Sequence, residues 1–496
     1  MAYCRQWAGS RPVSPSSGSF QINMNSRPGT PSAQPRYSPM IALIMAATSF
    51  MQNLDGAIIN TSLPQMARSF GVSSIDLSMG ITAYMLASAA LSPLSGWLSQ
   101  RIGERRVLLV SVIAFTLASV WCGLAPGLGM FVLARIAQGL AGAMMMPVGM
   151  SVVLRHTPKA ALMRAQAVTV WPGLLAPIIG PVLGGFITQT LDWRWNFWLN
   201  LPIGLAGALA ILRFVPQEEK SAPAPMDFTG FSLCAVALTT LLAGFQRAAE
   251  QGTGREIAFG LIICGLVTGW AAVRHLRRHP TPILSLAPLR RPSLRYVVLY
   301  PGILFRTLFS AMPFLLPLLF QLGFGLRPAA AGGWVLVYFC SNLGLKPFTS
   351  AILRRFGFRN VLLINGVLVT FSLLACGFAA PDTNVALLVM ILVFAGATRS
   401  MQLTSLSTVA FADITASERR AASGILSILQ QAASAAGVAC AAFSLSLFQV
   451  LDHSPGVGLA ELHATFFIAA VIAAVAAVGY VRMPRTLGQE ISGHKA

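Results

Sequence analysis

Charged side chains are what this sequence has least of. Asp, Glu, Lys and Arg make up 10% of its 496 residues, whereas soluble domains run at roughly a quarter. Acids are the scarcer sign, 15 against 35 Lys and Arg. A water-soluble fold of this length is thereby excluded. Histidine is rare as well, with six residues whose positions assign them to loops or the tail. The seven cysteines (Cys4, Cys122, Cys234, Cys264, Cys340, Cys376 and Cys440) are scattered without a CxxC or other metal-ligand spacing. That argues against a disulfide framework and against a zinc site. No GxxxxGK[ST] phosphate loop, HExxH or GxSxG occurs, so an ATP-driven pump and the common hydrolases lack their chemistry. No metal, no cofactor and no enzymatic step are expected.

What is abundant is apolar sequence: 55% of residues are hydrophobic and the mean hydropathy is +0.68. A helix needs about 20 apolar residues to cross about 30 Å of hydrocarbon. Runs of that length follow one another from Met40 to Val481, leaving no room for a sizeable soluble domain. Fourteen spans are predicted, at 40–60, 76–99, 107–125, 129–152, 165–190, 197–215, 228–248, 256–273, 296–320, 329–352, 361–380, 384–409, 421–447 and 461–481. The expected fold class is an all-α membrane protein. It has six-helix bundles at 39–215 and 296–482, an inserted helix pair at 216–273, a basic cytoplasmic linker at 274–295 and a cytoplasmic tail at 483–496. Residues 1–38 are rich in Pro, Ser and Gly, hold no acid and lack the apolar core of a signal peptide. They read as a disordered cytoplasmic tail, with Met24 and Met40 as alternative starts.

The net charge of +20 could suggest a nucleic-acid partner, but Lys and Arg cluster between the apolar runs. With both ends inside, 26 of the 35 fall in inner segments, five in outer loops (Arg68, Arg194, Arg247, Arg255 and Arg327) and four in the membrane. That bias fixes a cytoplasmic N- and C-terminus. The halves also echo each other. LSQRIGERRVLL at 98–109 aligns with LRRFGFRNVLL at 353–363, placing Gly103 on Gly357 and Arg101 on Arg355. MRAQA at 163–167 answers RRAAS at 419–423. Internal repeats with a site at their interface are the architecture of secondary transporters.

Five stretches in order carry a resemblance: LDGAIINTSLPQMA, GWLSQRIGERR, LARIAQGLAGA, APIIGPVLGG and WRWNFWLNLPIG. They resemble the signatures of the major facilitator superfamily, specifically its fourteen-helix drug:proton antiporter family and, within it, the MdtD-type exporters. The resemblance implies conformational roles for Gly96, Gln100, Arg101, Gly103 and Arg105 in the loop after span 2, and for Gly139 in span 4. It implies an antiporter motif at Pro177, Gly180, Pro181, Gly184 and Gly185 in span 5, where small-residue packing is the plainer alternative. Gln100 stands where the family usually carries an acid that latches the cytoplasmic face; Glu104 is the substitute within reach. By the family's layout spans 1, 2, 4, 5, 9, 10, 12 and 13 line a central cavity.

Within QNLDGAIINTSLP, residues 52–64, Asp55 is the one acid inside a span. It lies about 22 Å from the inner boundary, and Arg135 on the antiparallel span 4 lies at matching depth, about 9 Å from the outer one. A carboxylate survives in hydrocarbon beside a guanidinium, so the two are expected to pair. Either Asp55 gains and loses a proton as the site alternates sides, with Arg135 holding the deprotonated state, or the pair is a static clamp. In the second half Arg306 falls near the midplane, with Lys346 and Arg399 about 8 Å from the inner boundary, where they line the cavity or snorkel to the interface. Four cations against one acid would suit anions. Trp171, Tyr84, Phe305, Phe309, Tyr338 and Gln402 are candidate cavity groups, or face lipid and neighbouring helices.

The function expected is proton-driven export of small amphipathic compounds across the cytoplasmic (inner) membrane by alternating access. Organic anions or metal-chelating carboxylates are the alternative cargo, and a non-transporting membrane sensor the alternative class. The proton gradient is the energy source. The partners expected are the small-molecule substrate and the lipid bilayer, with no nucleic acid, in a monomer open to accessory efflux proteins.

Overall fold

The computed structural model describes residues 39–157, 162–217, 226–249, 255–280, 282–415, 418–453, 456–484 and 487. Among them there is helix and no strand. The first part of the chain contributes α1 (Pro39–Phe70), α2 (Ser74–Leu91), α3 (Ser95–Ile102), α4 (Glu104–Leu124), α5 (Leu128–His156), α6 (Leu162–Thr190), α7 (Trp195–Trp198) and α8 (Asn200–Phe214). Next come α9 (Phe228–Ala249), α10 (Arg255–Arg278) and α11 (Pro292–Val298). The rest is α12 (Gly302–Leu318), α13 (Pro328–Gly344), α14 (Lys346–Gly377), α15 (Val385–Val409), α16 (Arg419–Leu451) and α17 (Leu459–Gly479). The predicted tail at 1–38, and that at 483–496 apart from residues 483, 484 and 487, lie outside the described residues.

Among the described residues twelve helical segments are long and apolar enough to cross a membrane. Two further helices cover predicted spans 5 and 10: α6 runs unbroken over Leu162–Thr190, and α13, 17 residues long, ends at Gly344, eight residues short of the predicted end. α1 runs ten residues past its predicted end, through Pro64, because the polar turns beyond Asn60 stay buried against neighbouring helices. Side chains face lipid on the outer surfaces, where Leu117, Leu133, Phe259 and Phe371 stand exposed. α9 and α10 pack mainly on each other, with α9 against α2 and α16.

The sequence echo has a counterpart in the backbone. Gly103, between α3 and α4, has φ 100°, and Gly357, at the bend inside α14, has φ 72°. Both take a conformation open to glycine and strained for other residues. Two residues on from each, Arg105 Nη2 donates to the Leu212 carbonyl at 2.5 Å and Arg359 Nη2 to the Val481 carbonyl at 2.8 Å. Each arginine thereby caps a neighbouring helix end whose carbonyls have no partner of their own.

Small residues set where the first and second parts of the chain meet. A Cβ on Gly185 (α6) would lie 2.4 Å from the Pro328 carbonyl oxygen, and one on Gly332 (α13) 2.2 Å from that of Pro181. Nearby Gln321 Nε2 donates to the Thr61 carbonyl at 2.8 Å. These contacts close the seam at the end where α1 and α6 finish and α13 begins.

Candidate functional site: a buried carboxylate behind a cationic cavity

α1 turns Asp55 toward α5 and α8, and every oxygen of the carboxylate is used. Asp55 Oδ2 accepts from Arg135 Nη1 at 2.6 Å; Oδ1 accepts from Gln138 Nε2 and from Asn200 Nδ2, each at 2.9 Å. Arg135 Nη1 also donates to Gln138 Oε1 at 2.6 Å. Asn200 Nδ2 further donates to Ser119 Oγ at 2.9 Å, which donates in turn to the Phe197 carbonyl at 2.9 Å. Asp55 is 3% exposed and Arg135 0%. A buried ion pair survives because its remaining lone pairs and protons are satisfied, and here they are.

Tyr84 separates this pair from open space. Arg135 Cζ stands 4.2 Å from the centre of the Tyr84 ring, and Gln52 Nε2 donates to the phenol oxygen at 3.2 Å. The ring's other side meets a cavity of about 630 Å³, whose wall includes Gln52, Asn53, Pro177, Ser310 and Arg399. A second lobe of about 520 Å³ shares Asn53, Ser310 and Arg399 and is lined further by Arg306, Lys346 and Ser407. The cavity walls come from α1, α2, α5, α6, α12, α13, α15 and α16, with Lys346 at the start of α14. These elements answer to the eight spans that the resemblance implied.

Neither lobe is lined by an Asp or Glu among the described residues. Arg306 Nη2 reaches Ser407 Oγ at 3.5 Å, while its Nε has no hydrogen-bond partner; Arg399 Nε and Nη1 have none either. Lys346 and Arg399 both line this second lobe. Arg399 Cζ lies 5.6 Å from the Tyr338 ring, and Gly396 packs on the Tyr338 carbonyl as Gly139 packs on that of Tyr84. The same arginine-on-tyrosine device thus occurs in both parts of the chain, with a counter-ion in only one.

Several sequence expectations need correcting. Phe305, Tyr338 and Gln402 are fully buried and absent from the cavity wall: Phe305 stacks on Tyr480 and Gln402 accepts from Asn365. Phe309 does line the second lobe. The side chain of Trp171 lies outside the described residues. Not every histidine is in a loop, since His156 ends α5, His275 sits on α10 and His463 on α17. Gln100 is exposed, as are Gly96 and Arg101. Glu104 is buried instead, accepting from Ser151 Oγ at 2.5 Å with Arg155 Nη2 at 3.4 Å, and so ties α4 to α5. Gly180 and Gly184 let α6 approach Ala57 and the Ile58 carbonyl of α1. Gln138, Asn200 and Ser119 were not anticipated; the first two lie inside motifs quoted above, as amides in apolar runs.

The profile described as Major Facilitator Superfamily matches residues 45–438, with an overlapping match at 334–496. The chain belongs to the major facilitator superfamily. Among curated relatives is the MdtD protein of Serratia proteamaculans, whose name assigns it provisionally to multidrug resistance. It is 32% identical over 458 residues, covering 90% of this chain and 95% of that protein. The MdtD of Yersinia enterocolitica is 32% identical over 451 residues, again 90% and 95%. Solved structures agree on the superfamily fold. A D-xylose–proton symporter superposes with a TM-score of 0.64 at 13% identity, over 90% of this chain and 98% of its own. A human organic anion transporter gives 0.58 at 18%, over 89% and 99%. This protein is therefore a multi-pass membrane transporter of that superfamily, homologous to the MdtD multidrug resistance proteins.

Proposed function

We propose that the protein is a proton-coupled exporter of small amphipathic compounds that works by alternating access in the cytoplasmic membrane. Fourteen spans carry it, with α9 and α10 as the inserted pair and both termini in the cytoplasm. One observation carries the reading: Asp55, in the middle of α1, accepts from Arg135, Gln138 and Asn200 and is parted from the cavity by one ring, Tyr84. Displacing that ring connects the acid to the cavity and lets a proton replace Arg135 as its partner. Transport, with no bond made or broken, is the only step, and the proton gradient drives it.

The closed seam at Gly185, Pro328, Gly332 and Pro181 lies at the end away from the start of α1. With the N-terminus inside, this closed seam lies on the outer side, which supports reading the structure as a state that loads cargo from the cytoplasm. A second reading of the cargo is favoured by Arg306, Lys346 and Arg399 in an acid-free wall. Such a cavity takes amphipathic anions, carboxylates included, in preference to lipophilic cations.

Flux in proteoliposomes under an imposed pH gradient tests both, with a lipophilic cation and an organic carboxylate as cargoes and Asp55→Asn as the variant. Gradient-driven accumulation should vanish in Asp55→Asn while exchange of labelled for unlabelled cargo persists. Accumulation equal to the parent's would make the pair a static clamp, and binding without any flux would favour the sensor.

A further inference from the structure

Away from the cavity, the inserted helix pair brings together three side chains that the sequence keeps far apart. Asp227, which caps the start of α9, presents Oδ1 at 2.7 Å from His275 Nε2 near the end of α10. His279 follows one turn after His275, and the two rings lie 5.1 Å apart. One ligand atom from each of the three falls within 4.8 Å of the others. We propose that Asp227, His275 and His279 bind a first-row divalent transition-metal ion of the zinc type, and that the ion clamps the start of α9 to the end of α10.

Two imidazoles and a carboxylate are the donor set that such ions select, with solvent completing the shell. Donors around a tetrahedral ion at about 2.0–2.1 Å stand about 3.3 Å from one another. The present spacing brackets that figure, so small side-chain rotations close the site. Asp227 is oriented in advance, since Oδ1 also accepts the Gly230 amide at 2.7 Å and Oδ2 faces the Ile283 amide at 3.4 Å. Outer-shell bonds of this sort fix a ligand's direction and charge.

The neighbouring sequence is basic, RHLRRH, which would repel a cation. On the helix, however, Arg274, Arg277 and Arg278 are exposed, whereas His275 and His279 are half-buried on the face of Leu276 and Ala272. Arg274 folds back over the Trp270 ring at 5.4 Å. The guanidinium groups thus leave the site toward water, where solvent screens them. Because the Ile283 amide touches Asp227, the ion would also anchor the segment leading into α11 and the second bundle.

The test uses the full-length, tag-free protein in detergent, freed of metal, titrated with zinc against a chromophoric chelator and with cobalt for its visible spectrum. One equivalent should bind, with a cobalt spectrum of nitrogen and oxygen ligands lacking thiolate charge-transfer bands. His279→Gln, which keeps the Asp227–His275 hydrogen bond and hence the fold, should weaken zinc at least about tenfold, as should His275→Gln. Melting of the parent should rise on zinc addition and that of His279→Gln should not. No stoichiometric binding, a thiolate spectrum, or equal affinity in His279→Gln would overturn the assignment and leave the Asp227–His275 contact as a plain helix cap.

Discussion

Filling the two glycines at the seam should force the protein out of the state described here. A methyl on Gly332 would stand 2.2 Å from the Pro181 oxygen, and one on Gly185 2.4 Å from the Pro328 oxygen. Carbon and oxygen come no nearer than about 3.3 Å across a weak contact, so α6 and α13 must part by about 1 Å at both points. The obstacles are backbone atoms, so no side-chain rotation relieves them. Overpacking of this kind costs about 1–3 kcal/mol per site, or about 2–6 kcal/mol for Gly185→Ala with Gly332→Ala. Since α6 and α13 belong to different halves, the cost falls only on the state with this seam closed. At about 1.4 kcal/mol per tenfold, the ratio of states shifts by at least about tenfold. Spin labels on Leu191 and Arg327, in a background with the native cysteines replaced, report the seam by pulsed EPR. The double variant should populate a longer distance and transport more slowly. Gly333→Ala is the control, since nothing lies within 4 Å of a Cβ there. An unchanged distance distribution in the double variant would refute the reasoning.

Three other expectations follow from the site and its surroundings. Asn200→Leu and Gln138→Leu each remove a donor from Asp55, so each should cost about 1.5–3 kcal/mol of stability, read by denaturant melts, and lower gradient-driven flux more than exchange. Arg306→Gln and Arg399→Gln should each weaken binding of an organic carboxylate about tenfold or more by the loss of a charge-assisted bond, while leaving a lipophilic cation unaffected in the same calorimetric titration. At the start of α16, the Thr415 hydroxyl and amide, with Arg291, hold the Glu418 carboxyl below its usual range. Its stabilisation is therefore complete above the unfolded value of about 4.3 and is lost as pH falls through the lower folded value. Glu418→Gln should flatten the acid limb of a melting-against-pH curve.

Asp55 and Arg135 could be paired from sequence because each was a rare charge in an apolar run and counting along antiparallel helices put them at one depth. Gly103 and Gly357 were legible as an echo, and the backbone explains them through their shared positive φ. Gln138 and Asn200 were hidden because amides carry no charge to mark them, and depth counting does not say which way a helix is turned. Rotation likewise decided between Phe309 on the cavity wall and Phe305 in the core, one helical turn apart. His275 and His279 are a motif only once Asp227 joins them, and that depends on how α9 packs on α10. The end of α13 escaped the prediction because the break at Leu345 divides what hydropathy runs together, whereas α6 stays helical through Pro172, Pro177 and Pro181 over the whole of predicted span 5.

The incompletely paired arginines of the second lobe give the protein an unfinished interior. Arg306 and Arg399 keep nitrogen atoms without a protein acceptor, so a ligand whose acceptors pair with them stabilises the fold as well as entering the transport cycle. A ligand that binds the folded form stabilises it by RT ln(1 + [L]/Kd), about 2.7 kcal/mol at a hundredfold excess over Kd. The cargo can therefore be sought with a thermometer: a panel of amphipathic acids and bases, screened for those that delay unfolding of the detergent-solubilised parent but not of Arg306→Gln, reads chemical preference before any flux is measured.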